Sequence, residues 1–234
     1  MRLRERLSRL VAQAGDLALG STCAGCGDQP GWLCAECRAQ LAALPGEVRL
    51  LDGADNLKVA RVTPYGGTVR SVILEHKERG RLALARPLGD LLAVSVTALA
   101  ADGGCGRCGD RPIALVPAPS APSSTRSRGH DPLVRATRRS AVVLRRGGQE
   151  AAVVPALRHS RRVADQAGLG RAEREANLYG ALAVRPGALP LLAGRCVVVV
   201  DDVLTTGATL REAIRALGLE GAPACGAAVI AASR

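Results

Sequence analysis

The stretch VVVVDDVLTTGATL, Val197–Leu210, sets four β-branched residues ahead of two carboxylates, a hydroxyl-rich turn and the start of a helical pattern. An unbroken apolar run without alternation fits a strand buried on both faces, as in a parallel sheet. Ligands of open α/β sheets bind beyond the carboxyl ends of the strands, where Asp201 and Asp202 stand. Paired carboxylates there can accept hydrogen bonds from vicinal hydroxyls such as those of a ribose, each charge-assisted bond contributing roughly 1.5–3 kcal/mol. Gly207 lets the backbone approach an anion, and Thr205, Thr206 and Thr209 offer hydroxyl donors. A helix starting near Gly207 or Ala208 adds free N–H groups and the positive end of its dipole. Diol acceptors beside a phosphate cradle describe a site for a ribose 5-phosphate.

Competing readings of the same stretch lack their partner motifs. A Walker-B strand needs G-x-x-x-x-G-K-[ST], and neither of the two lysines, Lys58 and Lys77, follows a glycine. GCGRCG at Gly104–Gly109 matches G-x-G-x-x-G but precedes its strand instead of following one. The bland alternative is that the acids only end a strand and the threonines only cap a helix.

The rest of the chain supports an α/β reading. Strand-like segments 57–65, 113–119, 151–160, 181–184, 195–202 and 222–232 alternate with helical patterns at 68–80, 82–100, 133–148 and 208–221. Residues 1–20 form an amphipathic pattern, with Leu3, Leu7, Leu10, Val11 and Ala14 on one face. Gln13 and Asp16 interrupt it, which argues against a secretion signal, and no segment is read as a membrane span; the expected compartment is the cytoplasm. Residues 45–58, with Pro45, Gly46, Asp52, Gly53, Asp55 and Asn56, read as a linker. The expected organisation is a helix at 1–20, a cysteine module at 21–44 and the main domain at 58–234. Phe is absent and Trp32, Tyr65 and Tyr179 are the only aromatics, so the core must be aliphatic. The net charge of +11 suits an anionic partner, either a phosphate-bearing small molecule or nucleic acid, although base stacking has few platforms here.

Cys23, Cys26, Cys34 and Cys37 form C-x₂-C-x₇-C-x₂-C, a spacing that can close a tetrahedral tetrathiolate Zn²⁺ site. Four protein ligands leave no open position, so its role is structural. Cys105 and Cys108 form a second C-x₂-C, read as inert or redox-labile, and Cys196 and Cys225 read as core fillers.

The Val197–Thr209 pattern resembles the phosphoribosyl-pyrophosphate motif of type I phosphoribosyltransferases. With the cysteine knuckles, the resemblance narrows to the ComF family, phosphoribosyltransferase-like proteins named for bacterial DNA uptake. It rests also on YGGTVRSVILEHKERGR, ALVPAPS, RSRGH and QAGLGRAEREANLYGAL. It implies a type I phosphoribosyltransferase-like parallel sheet flanked by helices, with a small N-terminal zinc-ribbon-like module. It implies that Asp201 and Asp202 hold the ribose hydroxyls and that Val203, Leu204, Thr205, Thr206, Gly207, Ala208 and Thr209 wrap the 5-phosphate. Pro117 and Ala118 would neighbour the pyrophosphate, and Mg²⁺ would be bound mainly through sugar and pyrophosphate oxygens. The family's R-G-F-N-Q stands here as RGHDP, Arg128–Pro132, and its P-V-P as Pro117–Ala118–Pro119. Arg128 is the first candidate to stabilise the departing charge, with Arg126 and Lys77 behind it. His159, Gln166, Arg174 and Asn177 are candidate ligand contacts on a covering loop, and His76 and His130 candidate bases or solvated side chains. Two functions follow: transfer of a phosphoribosyl group to an unidentified acceptor, or a non-catalytic binding protein of DNA uptake acting through its zinc module and its basic run Arg126–Arg146.

Overall fold

The structure is a computed structural model of the chain, and the residues it describes are 22–51, 57–103, 111–120, 129–161 and 177–233. In chain order they form α1 (Ala35–Ala42), β1 (Glu47–Leu50), β2 (Lys58–Arg61), β3 (Thr63–Pro64), α2 (Gly67–Lys77) and α3 (Ala85–Ala101). Then come β4 (Ile113–Pro117), α4 (Pro132–Arg146), β5 (Ala151–Val153), β6 (Leu157–His159), β7 (Leu182–Val184) and the single turn α5 (Leu189–Leu192). β8 (Cys196–Leu204), α6 (Ala208–Leu219) and β9 (Gly226–Ala232) complete the list. The main sheet runs β1-β2-β9-β8-β4-β5, with β3 also on β9, and every pairing is parallel except β1 with β2. This is the expected α/β class, a mostly parallel sheet flanked by helices.

The valine run explains how both faces are filled. Val198 and Val200 belong to one apolar cluster with α3 residues such as Leu88, Leu92 and Val96. Val197 and Val199 point to the opposite cluster, with Leu210, Ala213 and Leu217 of α6. Successive side chains of a strand alternate between faces, so identical β-branched residues serve both layers. On the first face α3 crosses α4, whose buried stripe is Leu133, Ala136, Thr137, Ser140, Ala141 and Leu144. The polar side of α4 carries the arginines; Arg139 pairs with Asp90 at 2.6 Å, and Arg145 donates to the Ala151 carbonyl at 2.6 Å.

Several sequence expectations change. Part of the presumed linker is a strand, since Glu47–Leu50 pairs antiparallel with β2. Its turn-forming neighbours disguise a segment of only four residues whose Val48 packs on the core. The single strand expected at 151–160 is two strands in different sheets, because Pro155 breaks it and Ala156 N–H turns back to the Val154 carbonyl at 2.7 Å. The stretch Leu82–Ala101, with mean hydropathy 1.5, is long and apolar enough to cross a membrane by length and composition, contrary to the sequence reading. It is mostly buried between sheet and α4, as a core helix is. The helix expected at 1–20 lies outside the described residues. The cysteine module packs onto the main core: Cys23, Leu33, Cys37 and Leu41 share the cluster of Val72, Leu92 and Val198.

Gly89 marks the tightest helix crossing. A Cβ there would lie 2.5 Å from the Ala136 carbonyl oxygen and 2.5 Å from Arg139 Cβ. Helix propensity alone favours alanine by about 1 kcal/mol, whereas overpacking costs about 1–3 kcal/mol. Gly89→Ala is therefore expected to lower the denaturant midpoint; a rise would show that the two helices separate freely.

Candidate functional site

A cavity of about 470 Å³ opens past the carboxyl ends of β4 and β8. The burial of β8 changes at this point: Cys196–Val200 are buried, and Asp201–Leu204 are half-buried. The strand thus carries Asp201 and Asp202 out of the core into the cavity, where Val203, Thr205 and Thr209 join them. Ala118, Pro119 and Ser120 approach from the end of β4. The facing wall comes from Tyr65, Ile73, Leu74, Lys77 and Glu78 on and around α2, and from Pro132 and Leu133 at the start of α4.

Electrostatics separates the two acids. Lys77 Nζ donates to Asp202 Oδ2 at 2.8 Å, while Asp201 Oδ1 accepts the Asp202 backbone N–H at 2.8 Å. Burial, then the charge of Asp202, pushes the Asp201 carboxyl up to about 7, despite the opposing pull of Lys77. Burial works against the charged Lys77 ammonium, yet the Asp202 carboxylate wins and its pKa lies above the ordinary lysine value. Asp202 is the anchored acid. Asp201 is the acid whose ionisation turns on its surroundings near neutral pH.

The turn after β8 is held tightly against the start of α6. Gly207 stands immediately before α6 with φ of 81°, in the left-handed region. A Cβ there would also meet Leu51 Cδ2 at 2.5 Å, so sterics and backbone both call for glycine. Thr206 Oγ1 accepts the Ala208 N–H at 3.3 Å and the Thr206 carbonyl accepts from Arg211 Nη1 at 2.9 Å, which pins the loop. Of the residues expected around the phosphate, Val203, Thr205 and Thr209 line the cavity; Leu204, Thr206, Gly207 and Ala208 shape the turn without lining it. Ala118 is at the cavity, whereas Pro117 is the last residue of β4, paired with Val200.

Other candidates find different places. Arg128, Arg126, Gln166 and Arg174 lie outside the described residues, as do Cys105 and Cys108. Lys77, expected to face departing pyrophosphate, is engaged with Asp202. His76 is neither a base at the cavity nor solvated: it is buried behind the α2 wall. His159 Nε2 donates to the Pro119 carbonyl at 3.0 Å, tying the β6–β7 hairpin to the loop after β4. The same hairpin is held against α6 by buried Glu212, which accepts the Leu182 N–H at 3.0 Å and pairs with Arg215 at 2.6 Å. Tyr65, Ile73, Leu74 and Glu78 stand within YGGTVRSVILEHKERGR and Pro132 within RGHDP, but neither they nor Leu133 had a site role assignable from sequence, since their meeting depends on two distant helices converging.

The four cysteines of the module do converge. Their sulfurs lie within 4.8 Å of one another, as donors around one metal ion would. Backbone N–H groups of Gly25 and Cys34 point at Cys23 Sγ, each at 3.3 Å, and that of Cys37 at Cys34 Sγ at 3.4 Å. Burial, reinforced by neighbouring thiols, pushes Cys37 up to about 12. At Cys23 burial acts in the same sense, but the N–H donors prevail and bring it to about 6. Gly25 permits the knuckle to close, because a Cβ there would stand 2.7 Å from Cys37 Sγ and 2.9 Å from Thr68 Cγ2 on α2. Cys196, expected as a free filler at the head of β8, is buried but disulfide-bonded.

Among known proteins, no curated sequence matches the chain. The family model of the phosphoribosyl transferase domain matches residues 140–234, which run from within α4 through β8, the turn carrying Thr205–Thr209, and β9.

Proposed function

We propose that the protein is a phosphoribosyltransferase of ComF type. It binds phosphoribosyl pyrophosphate with Mg²⁺ and transfers the phosphoribosyl group to an acceptor held against the α2 wall. The observation that carries this reading is the meeting of Asp201, Asp202, Thr205 and Thr209 in one cavity at the carboxyl ends of parallel strands. The match of residues 140–234 to a phosphoribosyl transferase domain supports the same chemistry. In this reading the Asp201 and Asp202 carboxylates accept the ribose hydroxyls, and the turn before α6 receives the 5-phosphate. Arg128 would stabilise the departing pyrophosphate. Mg²⁺, entering with the substrate beside these acids, would supply positive charge to offset that of the departing pyrophosphate.

Zinc in the Cys23–Cys26–Cys34–Cys37 cluster would be structural. All four positions are thiols, backbone donors address the sulfurs, and the module shares its core with the main sheet. A cytoplasmic location follows from a phosphorylated sugar substrate. The runner-up, a DNA-uptake accessory protein acting through its basic face, is weakened by Arg139 and Arg145, whose side chains are engaged within the fold. The deciding experiment incubates the protein with phosphoribosyl pyrophosphate, Mg²⁺ and a mixture of bases. Pyrophosphate release that Asp201→Asn abolishes supports transfer; salt-dependent DNA binding without release supports the runner-up.

The pKa of Asp201 gives two further outcomes. The folded protein holds a proton that the unfolded chain has already lost, so the cost of this acid grows as pH rises from the ordinary carboxylate range to about 7. Asp201→Asn should therefore melt above the wild type at pH 8, with the gap narrowing toward pH 5. Affinity for ribose 5-phosphate with Mg²⁺, measured by calorimetry, should rise in the wild type as pH passes 7 and lose that step in Asp201→Asn. For the metal, the expected content is one zinc per chain. Cys37→Ser should lose it, shift the emission of Trp32, the sole tryptophan, and lower the melting point of the whole domain. A melting curve unchanged by zinc removal would refute the shared core.

A further inference from the structure

His76 of α2 is 2% exposed and does not itself line the cavity. Its Nδ1 lies 3.1 Å from the Arg81 carbonyl oxygen, in the turn after α2, and its Nε2 lies 3.3 Å from the Pro132 carbonyl oxygen, at the first turn of α4. Both oxygens can only accept. A neutral ring donates to one of them at a time, and an imidazolium to both. Each carbonyl belongs to a different wall of the cavity: α2 supplies Ile73, Leu74 and Lys77, and α4 supplies Pro132 and Leu133. The residue after His76 is Lys77, whose ammonium reaches Asp202 at 2.8 Å. Arg81 is itself tethered, donating from Nη1 to the Thr22 carbonyl at 2.7 Å and pairing with Glu75 at 3.1 Å. A packing role alone would be met by an apolar side chain, without two backbone carbonyls converging on one buried ring.

We infer that His76 is a positioning residue: wedged between the turn after α2 and the start of α4, it donates to the carbonyl of one and packs against the other, and so holds Lys77 in register with Asp202. The inference deepens the proposed transferase reading and rests on it for the purpose of the register, namely to offset the charge of the acid pair where both acids receive the sugar. The tie itself is a property of the free protein and can be read without substrate.

The chain has only two lysines, Lys58 and Lys77, and each is paired with an aspartate: Lys58 with Asp102 at 2.8 Å and Lys77 with Asp202 at 2.8 Å. Reductive ¹³C-methylation keeps their charge and yields one dimethyl resonance from each, apart from the α-amino group. In His76→Phe, which fills the ring's volume without donors, the Lys77 resonance should move toward that of an unpaired lysine. Its titration midpoint should fall, while Lys58 stays in place. His76→Gln keeps a donor group, its amide NH2, and should lie between. Unchanged Lys77 signals in both variants, equal movement of Lys58, or loss of folding in both would overturn the inference. Ribose 5-phosphate with Mg²⁺ then separates the two readings. A dissociation constant raised about tenfold in His76→Phe, equivalent to about 1.4 kcal/mol, supports both. A wild type that binds none overturns the sugar-phosphate reading, and the lysine resonances still decide the tie.

Discussion

Two carboxylates on consecutive residues at the end of a buried strand repel each other, and the site is organised around that repulsion. The fold answers with one cation, Lys77, brought from a helix 125 residues away in sequence. Asp202 takes the ion pair, while burial and Asp202 together lift Asp201 to about 7. Groups kept at such a balance have a cost in stability and are retained where a ligand makes use of them. A diol that donates two hydrogen bonds would favour the ionised form of Asp201, so binding and deprotonation would reinforce each other.

The domain match begins at residue 140 and contains the acids and the turn, yet ten of the fifteen residues that line the cavity come earlier in the chain. Tyr65, Ile73, Leu74, Lys77 and Glu78 form a wall whose far side packs on the cysteine module. Gly25 abuts Thr68, Thr68 Oγ1 meets Gln40 Oε1 at 3.2 Å, and Thr22 receives Arg81. The thiol cluster therefore does more than fold a small appendage. It fixes the outer boundary of α2, and with it the position of the lysine that reaches the acid pair.

Much of this was legible in sequence where a local pattern has a single physical meaning. Four valines followed by two aspartates imply a buried strand emerging from the core, and β8 does emerge, at a cavity. C-x₂-C-x₇-C-x₂-C implies converging sulfurs, and they converge. What was hidden depends on long-range packing or on short elements. β1 has four residues among turn formers, so no periodicity could reveal it. His76 looked like any polar-face histidine because its two carbonyl partners come from a turn and from a helix 56 residues on. Lys77 was recognised as a cation for the site, but its pairing with Asp202 was not, since only the assembled sheet brings that acid beneath it.

The sheet order carries one last consequence. β9 lies between β2 and β8, so the N-terminal strands β1 and β2 reach the rest of the sheet only through residues 226–232. On the ribosome, those early strands wait with an unpaired edge until β9 has been made. Such delayed closure exposes backbone donors and acceptors to intermolecular pairing during synthesis. Of the four residues of β2, Arg61 and Lys58 place a charge at each end, and charges on an uncovered strand discourage that pairing.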